Sequence, residues 1–332
     1  MARRPIHPAL LTAAPFLLLF GVVLLVMSCG PHGADSRLQF KPITWRTDLD
    51  DRVDWPFPRR VSGLGGADLQ VHAPPRRIVA GSVLSAEVLL AIAPRERIAG
   101  VHYLAADSRY SMVAKSVAGV PLVGAEPEQL LAVRPDLVLV DAFTRAETHR
   151  LLQAAGVPVV RTQAFSNFGD VADNIRLIGW VTGLDAAAEQ LVVDLRARVA
   201  ALAKEAPAVQ GWHVLTLDGA LDTCGRGSLV DTVVRAAGAV NVAADHDVGP
   251  FRKLDIESVL AWRPDALLVG VVAGEEDSTR ARLQQDRGLR LLPCVQRQRI
   301  VFVPAALLAS TSHLVAGASE QLQAQLRAWG RP

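Results

Sequence analysis

The chain has 332 residues, half of them apolar and only 5% aromatic, with a formal net charge of +2. That length leaves room for two domains, each able to bury a core. The excess positive charge equals Arg3 and Arg4 of an N-terminal leader, so the remainder is net neutral and offers no footprint for nucleic acid.

Residues 1–28 read as a signal peptide: Arg3 and Arg4 form a positive start, and an apolar run over 16–26 is broken only by Gly21. Val26-Met27-Ser28-Cys29 follows and resembles the bacterial lipobox, which implies that Cys29 is lipidated and becomes the mature N-terminus. An uncleaved anchor helix is the alternative, although the run is shorter than the ~20 residues that span a bilayer. Either way the body is tethered outside the cytoplasm. Cys224 and Cys294 remain, and pairing or two buried free thiols are both open; their spacing is not that of metal ligands.

Residues 29–75 form a tether and N-terminal extension, rich in Pro, Gly, Asp and Arg, with a flexible stretch over 31–47 and an irregular hairpin over 53–71. The GLGGAD at 63–68 is a turn rather than a dinucleotide fingerprint, because no strand leads in and no helix leads out. An α/β rhythm then fills 76–165, the N-terminal lobe. Strands are expected at 77–81, 97–103, 120–123, 137–140 and 157–162, and helices at 85–92, 128–133 and 146–155. Two helices follow without strands over 166–206. The second, 185–205, places Ala188, Leu191, Leu195, Val199 and Leu202 at three- and four-residue steps, with Asp185 as its N-cap. At 1.5 Å per residue it would reach on the order of 30 Å, the length of a strut along a lobe. In 207–332 the rhythm resumes: a strand at 212–217, a helix at 228–237, a strand at 299–303 and a closing helix at 314–329. The fold class is therefore α/β, with two Rossmann-like lobes joined by a long backbone helix. Such a strut permits only small closure.

One segment is written twice. EPEQLLAVRPDLVLV at 126–140 returns as DIESVLAWRPDALLV at 255–269, with eight of fifteen positions identical. Each copy reads as a short helix stopped by the Arg before Pro, then a strand buried on both faces. Helix and strand run oppositely in such a unit. Glu128 and Glu257, in the first helical turn, therefore lie at the carboxyl edge of the sheets, where open α/β folds bind ligands.

With these segments in place the chain resembles the substrate-binding proteins of ABC importers for metal chelates, the helical-backbone class that handles iron-siderophores, haem and vitamin B12. The resemblance covers about 76–329. It is carried by PPRRIVAGSVLSAEVLLAI, RIAGV, DSRYS, VPLVG, both copies of the repeat, LLQAAGVPVV, NIRLIGWVTG and GRGSLVDTVVRAAGAVNVAAD, in that order. It implies a lipid-anchored monomer that hands a chelate to a permease and its ATPase, with Glu128 and Glu257 engaging permease arginines. No intrinsic cofactor is expected.

The ligand would sit between the lobes, lined by loops that follow the strands. The N-terminal lobe offers His102, Tyr103, Arg109, Tyr110, Phe143 and Phe165, with Ser82 and Ser85 beside them. The C-terminal lobe offers Arg226, His246, Phe251, Arg252 and His313, with Asp222. DSRYS lies where haem-binding relatives resemble a pattern whose Tyr ligates iron, but here the spacing is shorter and Ser111 stands where Pro often follows. A bare Zn or Mn site is the alternative ligand class, and a sensor or interaction protein of the same fold the alternative role. An enzyme is disfavoured: G-x-S-x-G, Walker A and H-E-x-x-H are all absent, and Ser228 reads as an N-cap, not a nucleophile. Binding is expected to change tryptophan fluorescence.

Overall fold

The computed structural model describes residues 56–62 and 68–330. The signal peptide, Cys29 and the tether lie outside the described residues, as does most of the GLGGAD turn. Within them, β1 (Arg59–Ser62) and β2 (Asp68–Val71) form the expected antiparallel hairpin, with Arg59 opposite Val71.

The N-lobe sheet holds β3 (Ile78–Ala80), β4 (Ile98–His102), β5 (Leu122–Val123), β6 (Leu137–Val140) and β7 (Val159–Arg161). Its order is β5-β4-β3-β6-β7, all parallel. The C-lobe sheet holds β8 (His213–Thr216), β10 (Val240–Asn241), β12 (Ala266–Val271) and β13 (Ile300–Pro304), in the order β10-β8-β12-β13 and again parallel. Thus β6 and β12, the strands of the two repeat copies, hold equivalent places beside the first strand of their lobe.

Alternating residues of each strand face two cores. Ile78, Leu137 and Leu139, with Val214 and Leu268 of the other lobe, belong to one apolar cluster that also takes in Ile175, Val192 and Leu195 of the linking helices. The opposite faces carry separate cores, Val79, Val138 and Val140 in the N-lobe and Leu215, Leu267 and Val269 in the C-lobe. The inner core is thus continuous through both lobes, which resists large lobe rotation.

Helices α1 (Val83–Ile92), α2 (Pro127–Ala132) and α3 (Ala146–Ala154) cover the N-lobe. The link is α4 (Phe168–Thr182) and α5 (Asp185–Glu205). Asn167 caps α4 through Gly169 N at 2.8 Å and Asp170 N at 3.1 Å, and Gly183 ends it in the left-handed conformation. The expected cap of α5 is corrected. Asp185 is its first helical residue, and its carboxylate takes the buried Arg59 at 2.6 Å instead. Arg59 also donates to Trp180 O at 2.7 Å and lies between the rings of Phe57 and Trp180, so it pins the N-terminal hairpin to the joint of the two linking helices.

In the C-lobe lie α6 (Leu229–Ala236), α7 (Val242–Asp245), α8 (Ile256–Trp262), α9 (Glu276–Gln285), α10 (Pro293–Gln296), α11 (Ala305–Leu308) and α12 (Ala316–Trp329). A two-stranded ribbon of β9 (Asp222–Thr223) and β11 (Arg252–Lys253) was not expected from the sequence. Neither was α9. It buries only Thr279 and Leu283, so no apolar stripe announces it.

Arg-Pro-Asp does the same work in both lobes. Asp136 accepts Arg76 N at 2.7 Å and Arg77 N at 2.9 Å, and Asp136 N donates to Arg77 O. Asp265 accepts His213 N at 3.0 Å, and Asp265 N donates to His213 O. Each Asp therefore locks the repeat strand to the first strand of its lobe. The preceding arginine is expected to leave the helical region, and it does so into the left-handed region, with φ 49° at Arg134 and 48° at Arg263. That conformation costs a non-glycine residue roughly 1–2 kcal/mol and turns the chain sharply from helix into strand.

Candidate functional site between the lobes

The carboxyl edge of the N-lobe sheet presents three loops. In the loop after β6, Asp141 Oδ1 accepts Phe143 N at 3.0 Å and Thr144 Oγ1 at 2.9 Å, while Arg161 Nε donates to Asp141 O at 3.0 Å. The Arg161 guanidinium reaches Ala142 O as well. So fixed, Phe143 meets Phe165 from the loop after β7 edge to face, centroids 6.1 Å apart. Both rings are half-buried.

After β4, His102 Nδ1 accepts Leu104 N at 3.3 Å, and its ring lies 4.6 Å from that of Tyr103. Burial lowers the His102 pKa against a smaller opposing pull from Asp141. Tyr103 is 53% exposed and Met112, midway along the segment leading to β5, 44%. The structure brings His102, Tyr103, Tyr110, Phe143, Phe165 and Met112 to one sheet edge. Arg109 belongs to that edge too, but its guanidinium forks onto Asp107 at 2.5–3.0 Å and lies over the Tyr110 ring. Its charge is thus already engaged. Ser82 and Ser85 are removed from the candidate set: both are buried, and they close a capping box at the start of α1.

On the C-lobe, Gly225 N donates to Gly249 O at 2.9 Å and Arg226 N to Val248 O at 2.8 Å, zipping two loops together beside the β9–β11 ribbon. A side chain at residue 225 would place its Cβ 2.2 Å from Val248 O, so the seam requires glycine. This gathers Arg226, Phe251 and Arg252 in one region. The Arg226 side chain turns to Ala244 O at 3.1 Å and to Asp247 at 3.4 Å. Asp222 is buried, with its carboxyl pushed up by burial and by Asp218 beside it.

His246 has an aromatic partner within its own lobe. Its ring stacks flat on Trp262, centroids 4.5 Å apart and 5° from parallel. Trp262 ends α8, and Glu257 lies in the first turn.

His313 opens the turn after α11, half-buried, with Nδ1 buried and lacking a hydrogen-bond partner. Burial, aided by the nearby Arg198, brings its pKa down to about 4. The imidazole is neutral at pH 7, the form that ligates metals. Among the described residues no three His, Cys, Asp or Glu side chains converge as metal ligands, so the bare Zn or Mn reading finds no site there.

Glu128 and Glu257 are both exposed in the first turn of α2 and α8, and neither forms an ion pair among the described residues. Ser228 is the cap expected of it, accepting Asp231 N at 3.0 Å. Cys224 and Cys294 are free and buried, which resolves the open alternative; burial pushes their thiols up to about 12 and about 11. One buried acid escaped the sequence reading. Glu87 is the lone acid in the apolar helix α1 and only 1% exposed. The signal was an acid at a position whose neighbours all read as core.

A family of periplasmic binding proteins matches residues 78–307, more than half of the chain. The chain belongs to this family. It is similar to a cobalamin-binding protein of Halobacterium salinarum, 27% identical over 284 residues, covering 81% of this chain and 72% of the relative. It is also similar to an ABC transporter substrate-binding lipoprotein of Bacillus subtilis, 22% identical over 275 residues, covering 80% and 84%. Among solved structures, the periplasmic haem-binding protein RhuT of Roseiflexus sp. RS-1 shares 25% identity with a TM-score of 0.65, covering 77% of this chain and 99% of its own. The binding protein is thus a two-lobed member of the expected class and not an enzyme.

Proposed function

We propose that this protein is a lipid-anchored receptor that captures a metal chelate with a broad apolar face, a corrinoid or a haem, and delivers it to an ABC permease. The observation that carries the reading is the N-lobe edge, where the exposed Tyr103 and Met112 and the Phe143–Phe165 pair offer apolar surface beside charges already paired with one another or with backbone. The cobalamin-binding and haem-binding relatives support the same ligand class. In this reading His313 and Tyr110 are the candidate donors to the metal, and Arg252 meets acidic substituents at the rim. Cys29 carries the lipid, and Glu128 and Glu257 meet permease arginines, with the ATPase behind. The receptor works as a monomer outside the cytoplasm.

The test is titration of the purified protein with cyanocobalamin, haemin and a ferric hydroxamate, followed by ligand absorption. Fluorescence is the poorer readout. Trp212 and Trp329 pair within the C-lobe, Trp180 binds Arg60 O and Trp262 holds His246. Saturable 1:1 binding of one macrocycle supports the reading. Binding of the hydroxamate alone would replace the ligand class, and binding of none would refute it.

A further inference from the structure

Glu87 sits midway along α1, and Leu84, Ala86, Val88 and Leu89 around it all join the shared inner core. A carboxylate so buried costs of order several kcal/mol unless its oxygens are met by donors. Here both are met, and from different lobes. Oε1 accepts Ser111 Oγ at 3.0 Å and Met112 N at 3.4 Å, in the N-lobe loop after β4. Oε2 accepts Ser310 Oγ at 2.8 Å and Ser312 Oγ at 2.7 Å, in the C-lobe loop after α11.

The hydroxyls are aimed by the backbone. Val113 N donates to Ser111 Oγ at 3.3 Å, Ser312 N to Ser310 Oγ at 3.3 Å and Leu314 N to Ser312 Oγ at 3.2 Å. A hydroxyl has one proton, so three serines that accept amides and donate to Glu87 match an ionised carboxylate. Burial pushes the Glu87 pKa up, while Ser312, Ser310, Ser111 and the Met112 amide draw it down. Breaking either half would leave a buried carboxylate oxygen short of donors, which makes the contact sensitive to separation of the lobes.

The two loops joined in this way are both ligand loops. Arg109, Tyr110 and the exposed Met112 adjoin Ser111, and His313 follows Ser312. We propose that Glu87 is a positioning residue, a clasp between the Tyr110 loop and the His313 loop that sets the separation of the two cleft walls before ligand arrives. Glu87 touches no ligand. It acts by holding one wall at a fixed distance from the other, so that binding does not have to order them. The proposal rests on the reading of this cleft as a chelate site.

The test uses the full chain with Cys29→Ser and spin labels at Leu151→Cys and Leu291→Cys, on exposed positions of the two lobes, while Cys224 and Cys294 stay 1% exposed. Inter-spin distances are measured without ligand. Wild type is expected to give one narrow distribution. Ser310→Ala/Ser312→Ala, which removes donors from one lobe only, is expected to broaden it, to keep a cooperative melt and to weaken macrocycle binding by about tenfold or more, equivalent to at least ~1.4 kcal/mol. Glu87→Gln keeps the shape and should behave alike; the serine variant decides the matter if it fails to fold. A distribution as narrow as wild type in the serine variant overturns the clasp, whatever happens to affinity. If neither cyanocobalamin nor haemin binds wild type, the chelate reading falls, and the distance measurement still decides the clasp.

Discussion

In the N-lobe Asp136 gathers two backbone amides and Pro127 opens α2 with no side-chain cap, whereas in the C-lobe Asp265 takes one amide and Asp255 caps α8 through Ser258 N at 2.6 Å. The N-lobe also carries a fifth strand and the Arg59 hairpin. The same unit is therefore held by different means in the two lobes. What both copies share divides in two. Arg-Pro-Asp turns the chain and locks the strand, and Leu130 and Val259 fill equivalent core positions, so each has a folding reason. Glu128 and Glu257 are exposed and form no ion pair among the described residues. We propose that these equivalent, exposed positions serve a partner.

The largest expected effect breaks that division directly. Glu128→Ala/Glu257→Ala should reduce ligand uptake through the cognate permease by about tenfold or more, at least ~1.4 kcal/mol of docking energy, while ligand affinity and melting stay unchanged. Each single variant should lose part of the effect. Unaltered uptake in the double variant would return both glutamates to the role of solvated helix starts.

Arg59→Ala attacks a feature that the C-lobe lacks. It leaves Asp185 without its partner at the joint of α4 and α5, and a loss of about 3 kcal/mol in denaturant unfolding is expected. A loss below ~1 kcal/mol would mean that the hairpin only rests on the lobe.

His313 belongs to the C-lobe wall, and its pKa is held near 4 in the folded chain. The unfolded imidazole takes up its proton near pH 6.5 and the folded one does not, so stability falls as pH drops from about 6.5 toward 4, by roughly 2–3 kcal/mol in all. His313→Gln should flatten this part of the stability curve. A wild-type curve already flat between pH 6.5 and 4 would contradict the buried, neutral assignment.

The smallest effect separates the two clamps. Asp136→Ala frees two amides and should cost about 2 kcal/mol, and Asp265→Ala frees one amide and an exposed contact with the His213 ring and should cost about 1 kcal/mol. Equal costs would show that the added Arg76 amide contributes no more than the His213 ring does.

Much of this frame was legible in the sequence because it rests on local pattern. The strand at 137–140 and the helix at 185–205 have the bounds that apolar runs and helical spacing predict, and the repeat announced two lobes. The missed pieces depend on partners distant in the chain or on weak local signals. The β9–β11 ribbon pairs only two residues on each side, and α9 is polar. Residue type could not reveal that Asp107 already holds Arg109, that Trp262 stacks on His246, or that Asp185 would serve Arg59. Glu87 is the extreme case, since two of its partners lie 223 and 225 residues away.

The most direct measurement is calorimetric titration of the wild-type protein and of Phe143→Ala/Phe165→Ala with cyanocobalamin and with haemin. One of the two ligands should bind wild type at 1:1, and the variant should bind it about tenfold or more weakly, since each lost ring forfeits apolar contact worth on the order of 1 kcal/mol or more. Equal affinity in the two proteins, or no binding of either macrocycle to wild type, would contradict a chelate site at the carboxyl edges of the two lobes.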